Sequence, residues 1–201
     1  LKEREQYLLH KSKKMSKKVF IIHGFQGTPE GDWRPWLKEN LEAQGDIVEL
    51  LKMPTPNDPV RDEWVKTISN AVQNPNEDVY LVGHSLGVPA ILNYLENLDD
   101  GKKIGGAVLV SGFYKPVIED EDPEERKIDH FADHDFDWDK IKSVCGKCVV
   151  IHGDDDDVVP LYHAEHISKM LGCELVIVKG GGHLNTESNW NQLHEVLDFL
   201  E

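Results

Sequence analysis

Two glycines bracket a serine in Gly83-His84-Ser85-Leu86-Gly87, and the spacing suggests covalent chemistry. A serine hydroxyl is a weak nucleophile near neutral pH and needs a base to take its proton. The apolar run Val79 to Val82 reads as a buried strand, and an apolar helical pattern follows the second glycine. Strand, sharp turn and helix make a nucleophile elbow, with Ser85 exposed at the carboxyl end of the strand. So tight a turn strains the serine backbone, and side chains beside it would collide with the helix and the next strand. The helix amino end adds N–H groups and a dipole that favour developing negative charge.

The base should be a histidine, held in its tautomer by a carboxylate. His10, His163, His166 and His194 read as surface residues. His183 alone follows a late apolar run through Gly180-Gly181-Gly182, which lets its ring turn back toward Ser85. Four carboxylates stand together at Asp154-Asp155-Asp156-Asp157. Such a run can be a solvated charge cluster, a cation site or the source of the acid. A calcium loop needs spaced ligands, a glycine and a distal glutamate, so the cation reading is weak.

These groups need elements to position them. The pattern predicts strands over Lys17 to Ile22, Asp46 to Leu51, Val79 to Val82, Ile104 to Val110, Lys147 to His152 and Cys173 to Val178. It predicts helices over Trp33 to Gln44, Val60 to Gln73, from the elbow to Leu98, Pro160 to Leu171 and Asn189 to Leu200. Phe113 to Asp139 is polar and acidic and reads as loop with short helical pieces. The alternation predicts an α/β fold, a three-layer α/β/α sandwich around about six mainly parallel strands. His23-Gly24, Ser85, the aspartate run and His183 all then fall at carboxyl ends of strands, the edge where crevices form. Residues 15–201 read as one domain, and residues 1–14 as an extension upstream of it.

The order Ser, Asp, His is that of the α/β-hydrolases. The chain resembles them, and in particular the small, lid-poor serine hydrolases of the retinoblastoma-binding protein nine type and their bacterial relatives. The resemblance is carried by His23-Gly24 with Asp32-Trp33-Arg34-Pro35-Trp36-Leu37, by the elbow, by Phe136-Asp137, by His152 to Pro160 and by Gly181-Gly182-His183. It implies a six-stranded sheet without a large cap domain. It also implies Asp156 as the acid, because the relatives' G-x-x-D-x-x-V-P falls on Gly153 to Pro160, with Asp154 the next choice. The oxyanion hole is expected from the backbone N–H groups of Leu86 and Phe25. His23, His84 and Trp33 are candidates for the substrate pocket, although Trp33 and Trp36 also have the spacing of a core-facing helix side.

The expected activity is hydrolysis of small carboxylic esters through an acyl-enzyme, with no cofactor and no metal. The alternatives are an amidase or aminopeptidase-like enzyme, or a protein-interaction module on a hydrolase scaffold. The 201 residues carry a formal charge of −15, which disfavours nucleic acid and anionic membrane surfaces. No apolar run reaches the roughly 20 residues of a membrane span. Three cysteines give no disulfide framework and suit a cytoplasmic protein, a monomer or small homo-oligomer. Cys145-Gly146-Lys147-Cys148 enters a strand instead of opening a helix, so it is a poor redox motif. Asp129, His130, Asp133, His134 and Asp135 read as a small flap at the cleft edge in preference to a metal site. A retinoblastoma-type partner is not expected, because in Leu171-Gly172-Cys173-Glu174 the glutamate comes one position early for L-x-C-x-E.

Overall fold

The computed structural model describes residues 16–117 and 125–201; the extension read at 1–14 lies outside them. Six strands form one sheet: β1 (Lys18–Ile22), β2 (Ile47–Leu51), β3 (Val79–His84), β4 (Ile104–Val110), β5 (Cys145–Gly153) and β6 (Glu174–Val178). Their order is β2-β1-β3-β4-β5-β6, and every pairing is parallel. The helices are α1 (Arg34–Ala43), α2 (Arg61–Val72), α3 (Gly87–Glu96), α4 (Trp138–Val144), α5 (Tyr162–Leu171) and α6 (His194–Leu200). A 3-10 segment spans Glu125–Phe131.

A parallel sheet needs both faces covered, and side-chain alternation along each strand supplies two apolar faces. Phe20 and Ile22 of β1 face a core built with Trp64 and Ile68 of α2, most of α3, and Ile141 and Ile167 of α4 and α5. Val19 and Ile21 face the other core, with Trp33, Leu37 and Leu41 beside α1 and Val196 and Leu200 of α6. The result is the three-layer sandwich that the alternation predicts. α3 is buried from Gly87 to Leu95, as its apolar composition requires. Its one buried amide, Asn93, is satisfied by donating to the carbonyls of Pro89 and Phe131, both at 2.7 Å.

The chain runs from β1 outward to β2, then returns to β3 on the other side of β1. That reversal opens a crevice between the carboxyl ends of β1 and β3. Ser85 and His23-Gly24 flank it.

Several expectations shift. β3 runs two residues past Val82, so the elbow begins later than its glycine suggests. α4 starts at the end of the stretch read as loop with short helical pieces and runs into residues given no element: the Asp137 carboxylate caps it, accepting from the Lys140 amide at 2.9 Å. Its seven residues are too few to show periodicity. α6 starts at His194, because Asn185 bends residues 185–190 into a turn, accepting from the amides of Ser188 and Trp190. The described part of the acidic segment is docked and is not a flap. Phe131 and Phe136 are buried, His130 accepts from the Arg61 amide, and His134 meets Glu96 at 3.0 Å. Among the described residues no helix is long and apolar enough to cross a membrane.

Gly112 tests the closeness of this packing. A Cβ there would lie 2.2 Å from Cβ of Val88 on the elbow helix. Gly112→Ala is expected to cost about 1–3 kcal/mol through overpacking, read as a lower urea midpoint at unchanged m-value.

Candidate active site

The elbow is built by close backbone approaches. Ser85 has φ of +53°, the strained conformation expected of a serine at such a turn. A Cβ on Gly87 would stand 2.6 Å from the carbonyl oxygen of Ile22, and one on Gly83 2.8 Å from the carbonyl of Gly87. Only glycine lets the helix start so near the strands. Gly24 faces the serine directly: a Cβ there would lie 3.0 Å from Cβ of Ser85. The Ser85 amide donates to Val110 at 2.9 Å and locks the turn to β4. The next loop is set by Gln26, at φ of +54°, whose amide donates to Pro56 at 2.9 Å. Among the described residues, no protein acceptor engages the amides of Phe25 and Leu86.

The aspartate run is sorted by its partners. Asp154 accepts from the Gly180 amide at 2.7 Å and Asp155 from the Gly182 amide at 2.8 Å, so these two hold the glycine loop. Asp156 turns inward. Its Oδ2 lies 2.9 Å and its Oδ1 3.1 Å from Nδ1 of His183. Its Oδ1 also accepts from the amides of Val158 and Val159, each at 2.9 Å. Burial pushes its pKa up, but the His183 contact and the two amides outweigh this and hold the carboxyl below its usual range. His152 reinforces the turn: its Nε2–H donates to the Val159 carbonyl at 2.8 Å and lies 3.4 Å from Asp156 Oδ2.

The three pocket candidates are all buried and hydrogen-bonded to main chain. His84 Nε2–H donates to the His183 carbonyl at 2.9 Å, joining the elbow strand to the histidine loop. Trp33 is fully buried, its indole edge-on to His84 and its N–H donating to the Leu184 carbonyl at 2.9 Å. His23 is buried, donating through Nδ1 to its neighbour Gly24 and accepting from the Met53 amide. Each side chain is turned to main chain, so all three shape the site from behind. Asp32 completes the clasp. It accepts from the Thr186 amide at 2.8 Å and pairs at 2.9 Å with the buried Arg34, whose Nη2 donates to the Thr28 carbonyl. The Asp-Trp-Arg sequence carries no chemistry by itself and opens α1 well past the end of β1, so its place in the family resemblance was the signal that marked it.

The structure therefore gathers Ser85, Asp156 and His183 at one sheet edge and turns the Asp154 carboxylate to the Gly180 amide instead of to the imidazole. Among the described residues, the Ser85 hydroxyl makes no hydrogen bond to the imidazole. Such contacts are often long before substrate binds. A cleft of about 660 Å³ lies apart from this edge, between Val65 and Ser69 of α2 and Asn93 to Asn97 of α3. The α3 end of that cleft is roughly 15 Å down the helix from Ser85 at 1.5 Å per residue.

Sheet order, elbow and the strand-end gathering of these residues define an α/β-hydrolase. The chain belongs to the serine hydrolase family, whose model matches residues 19–201. It is 37% identical over 186 residues to YdeN of Bacillus subtilis, covering 92% of this chain and 95% of that one. The crystal structure of the ydeN gene product matches with a TM-score of 0.86 at 36% identity, covering 92% of this chain and 97% of that one. The serine hydrolase RBBP9 of Rattus norvegicus is 26% identical over 171 residues, 84% of each chain. Est1E from Butyrivibrio proteoclasticus, 18% identical, shares the fold at a TM-score of 0.66 over 94% of this chain and 88% of its own.

Burial lowers the pKa of five histidines: His23, His152, His166, His84 (to about 3) and His163 (to about 4). The unfolded chain takes up a proton at each ring near pH 6.5 and the folded chain only at lower pH, so stability falls as pH drops below about 6.5. Each ring contributes at most about 1.4 kcal/mol per pH unit. Urea midpoints measured from pH 7 to pH 4.5 should decline over this window, and His84→Gln should make the decline shallower. The Asp156 contribution, a depressed carboxylate, is lost only below about pH 4.

Proposed function

We propose that the protein hydrolyses small carboxylic esters through an acyl-enzyme on Ser85. His183 Nε2 takes the hydroxyl proton as Oγ attacks the ester carbonyl. The amides of Leu86 and Phe25 receive the oxyanion. The tetrahedral intermediate collapses as His183 returns the proton to the departing alkoxide, leaving an ester on Ser85. Water then repeats the sequence, His183 taking its proton, and the carboxylic acid leaves. Asp156 keeps the Nδ1 proton of His183 pointed at a carboxylate, so Nε2 is the basic atom throughout.

The observation that carries this reading is the Asp156–His183 pair at 2.9 Å beside the strained Ser85 elbow. Two unengaged amides on the loops flanking that serine support the oxyanion assignment. Among the described residues no large cap domain is inserted, which favours short acyl groups over bulky lipid.

A fluorophosphonate probe should label the wild type, and Ser85→Ala should abolish the label. An interaction module with an inert serine would stay unlabelled. Asp156→Asn should lower kcat on p-nitrophenyl acetate by roughly 10³–10⁴-fold, whereas Asp154→Asn should leave most activity. In a panel of p-nitrophenyl esters and aminoacyl arylamides, turnover confined to the arylamides would replace the esterase reading with the amidase one.

A further inference from the structure

The opposite edge of the sheet holds a feature the hydrolase reading does not use. A cleft of about 470 Å³ there is lined by Lys142, Cys145, Cys148, Gly172, Cys173 and Phe199 among others. All three thiols are free and half-buried. The pairing of β5 with β6 starts at Val149 and Glu174, so Cys148 and Cys173 sit side by side immediately before it. Both pack against the same apolar core as Leu175. Neighbouring strands run about 4.8 Å apart, inside the range of roughly 4.4–6.8 Å between Cα atoms that a disulfide accepts. Cys145 packs against the same core but pairs with Ile104 of β4, four residues before the β5–β6 pairing starts, and its sulfur lies 3.5 Å from the Lys147 carbonyl, so strand register and not the C-x-x-C spacing marks the pair.

We propose that Cys148 and Cys173 form a peroxide-reactive dithiol, with Cys173 as the attacking thiol and Cys148 as the resolving one. Gly172, left-handed at φ of +67°, ends α5 and delivers Cys173 beside Lys142; a Cβ on Gly172 would lie 2.9 Å from Nζ of that lysine. Ser168 Oγ donates to the Cys173 carbonyl at 2.6 Å and fixes the turn. The Cys148 thiol, within hydrogen-bonding reach, lowers the pKa of Cys173 against the effect of burial, and Lys142 adds to the lowering. Cys148 is raised by the same contact and by burial, and Cys145 is pushed up to about 12 by burial. A low-pKa thiol beside a protonated one is the arrangement of a redox-responsive pair.

The chemistry balances with hydrogen peroxide as oxidant. The Cys173 thiolate attacks one peroxide oxygen, the O–O bond breaks, and a sulfenic acid forms with loss of hydroxide, protonated to water. The Cys148 sulfur then displaces the sulfenic oxygen as a second water. Two thiols are oxidised to one disulfide, and one peroxide is reduced to two waters.

Trypsin separates the cysteines onto peptides 143–147, 148–169 and 170–179, which makes the test direct. The full-length chain is treated with hydrogen peroxide, blocked with N-ethylmaleimide and mapped without reduction. The expected product joins 148–169 to 170–179 and leaves Cys145 alkylated. In Cys148→Ser, dimedone should trap a sulfenic acid on Cys173. In Cys173→Ser the cross-link should vanish, and alkylation of the remaining thiols should be about tenfold slower than that of Cys173. Unchanged urea midpoints would show that the variants are folded. A bridge from 143–147 to 148–169, dimedone on Cys145, or survival of all three thiols would overturn the assignment. None of these outcomes depends on the activity assigned to Ser85.

Discussion

One hydrogen bond does more than any other to make this edge of the sheet a site. His84 ends the elbow strand, and its ring donates to the main chain of His183, ninety-nine positions later. Burial and the nearby His183 and Arg34 keep the ring neutral, so one nitrogen carries a proton whatever the working pH. A charged side chain could not be placed there without a large desolvation cost. A smaller apolar one would leave a buried carbonyl unpartnered. The contact sets the distance between two loops from strands that are not neighbours in the sheet, and Trp33 and Asp32 brace the far side of the same loop.

The general architecture was legible because the signals were local. Apolar runs of four to seven residues separated by amphipathic helices specify a covered parallel sheet, and the glycine-bracketed serine specifies a strand-to-helix turn. Boundaries were less legible where a side chain overrides pattern. Asp137 starts a seven-residue helix in a segment with no periodicity, and Asn185 delays the last helix by five residues. The acidic segment read as mobile from its composition. Its few apolar residues, Phe131 and Phe136, are the ones that anchor it, and a count of charges hides them.

The site shows the same division. Ser85 and His183 could be placed by strand-end logic alone. Choosing among four consecutive aspartates rests on the family resemblance, whose G-x-x-D-x-x-V-P falls on Gly153 to Pro160, since side-chain type and strand-end position do not separate them. Hydrogen bonding separates them: two meet amides of the glycine loop, and one meets an imidazole together with two amides of its own turn. His23, His84 and Trp33 are pocket candidates from sequence, with Trp33 also carrying the spacing of a core-facing helix side. Burial reveals them as framework instead, a distinction that needs coordinates.

The bonds from Asp154 and Asp155 to the glycine loop have a mechanical consequence. They stitch the turn after β5 to the turn after β6 at the same level as the Asp156–His183 contact. The two turns, with the Asp156 and His183 side chains they carry, are consequently held to each other as one unit. His84 ties that unit to the strand that ends in the elbow, so a strain placed on either turn is shared by both and passed on to the serine's own strand.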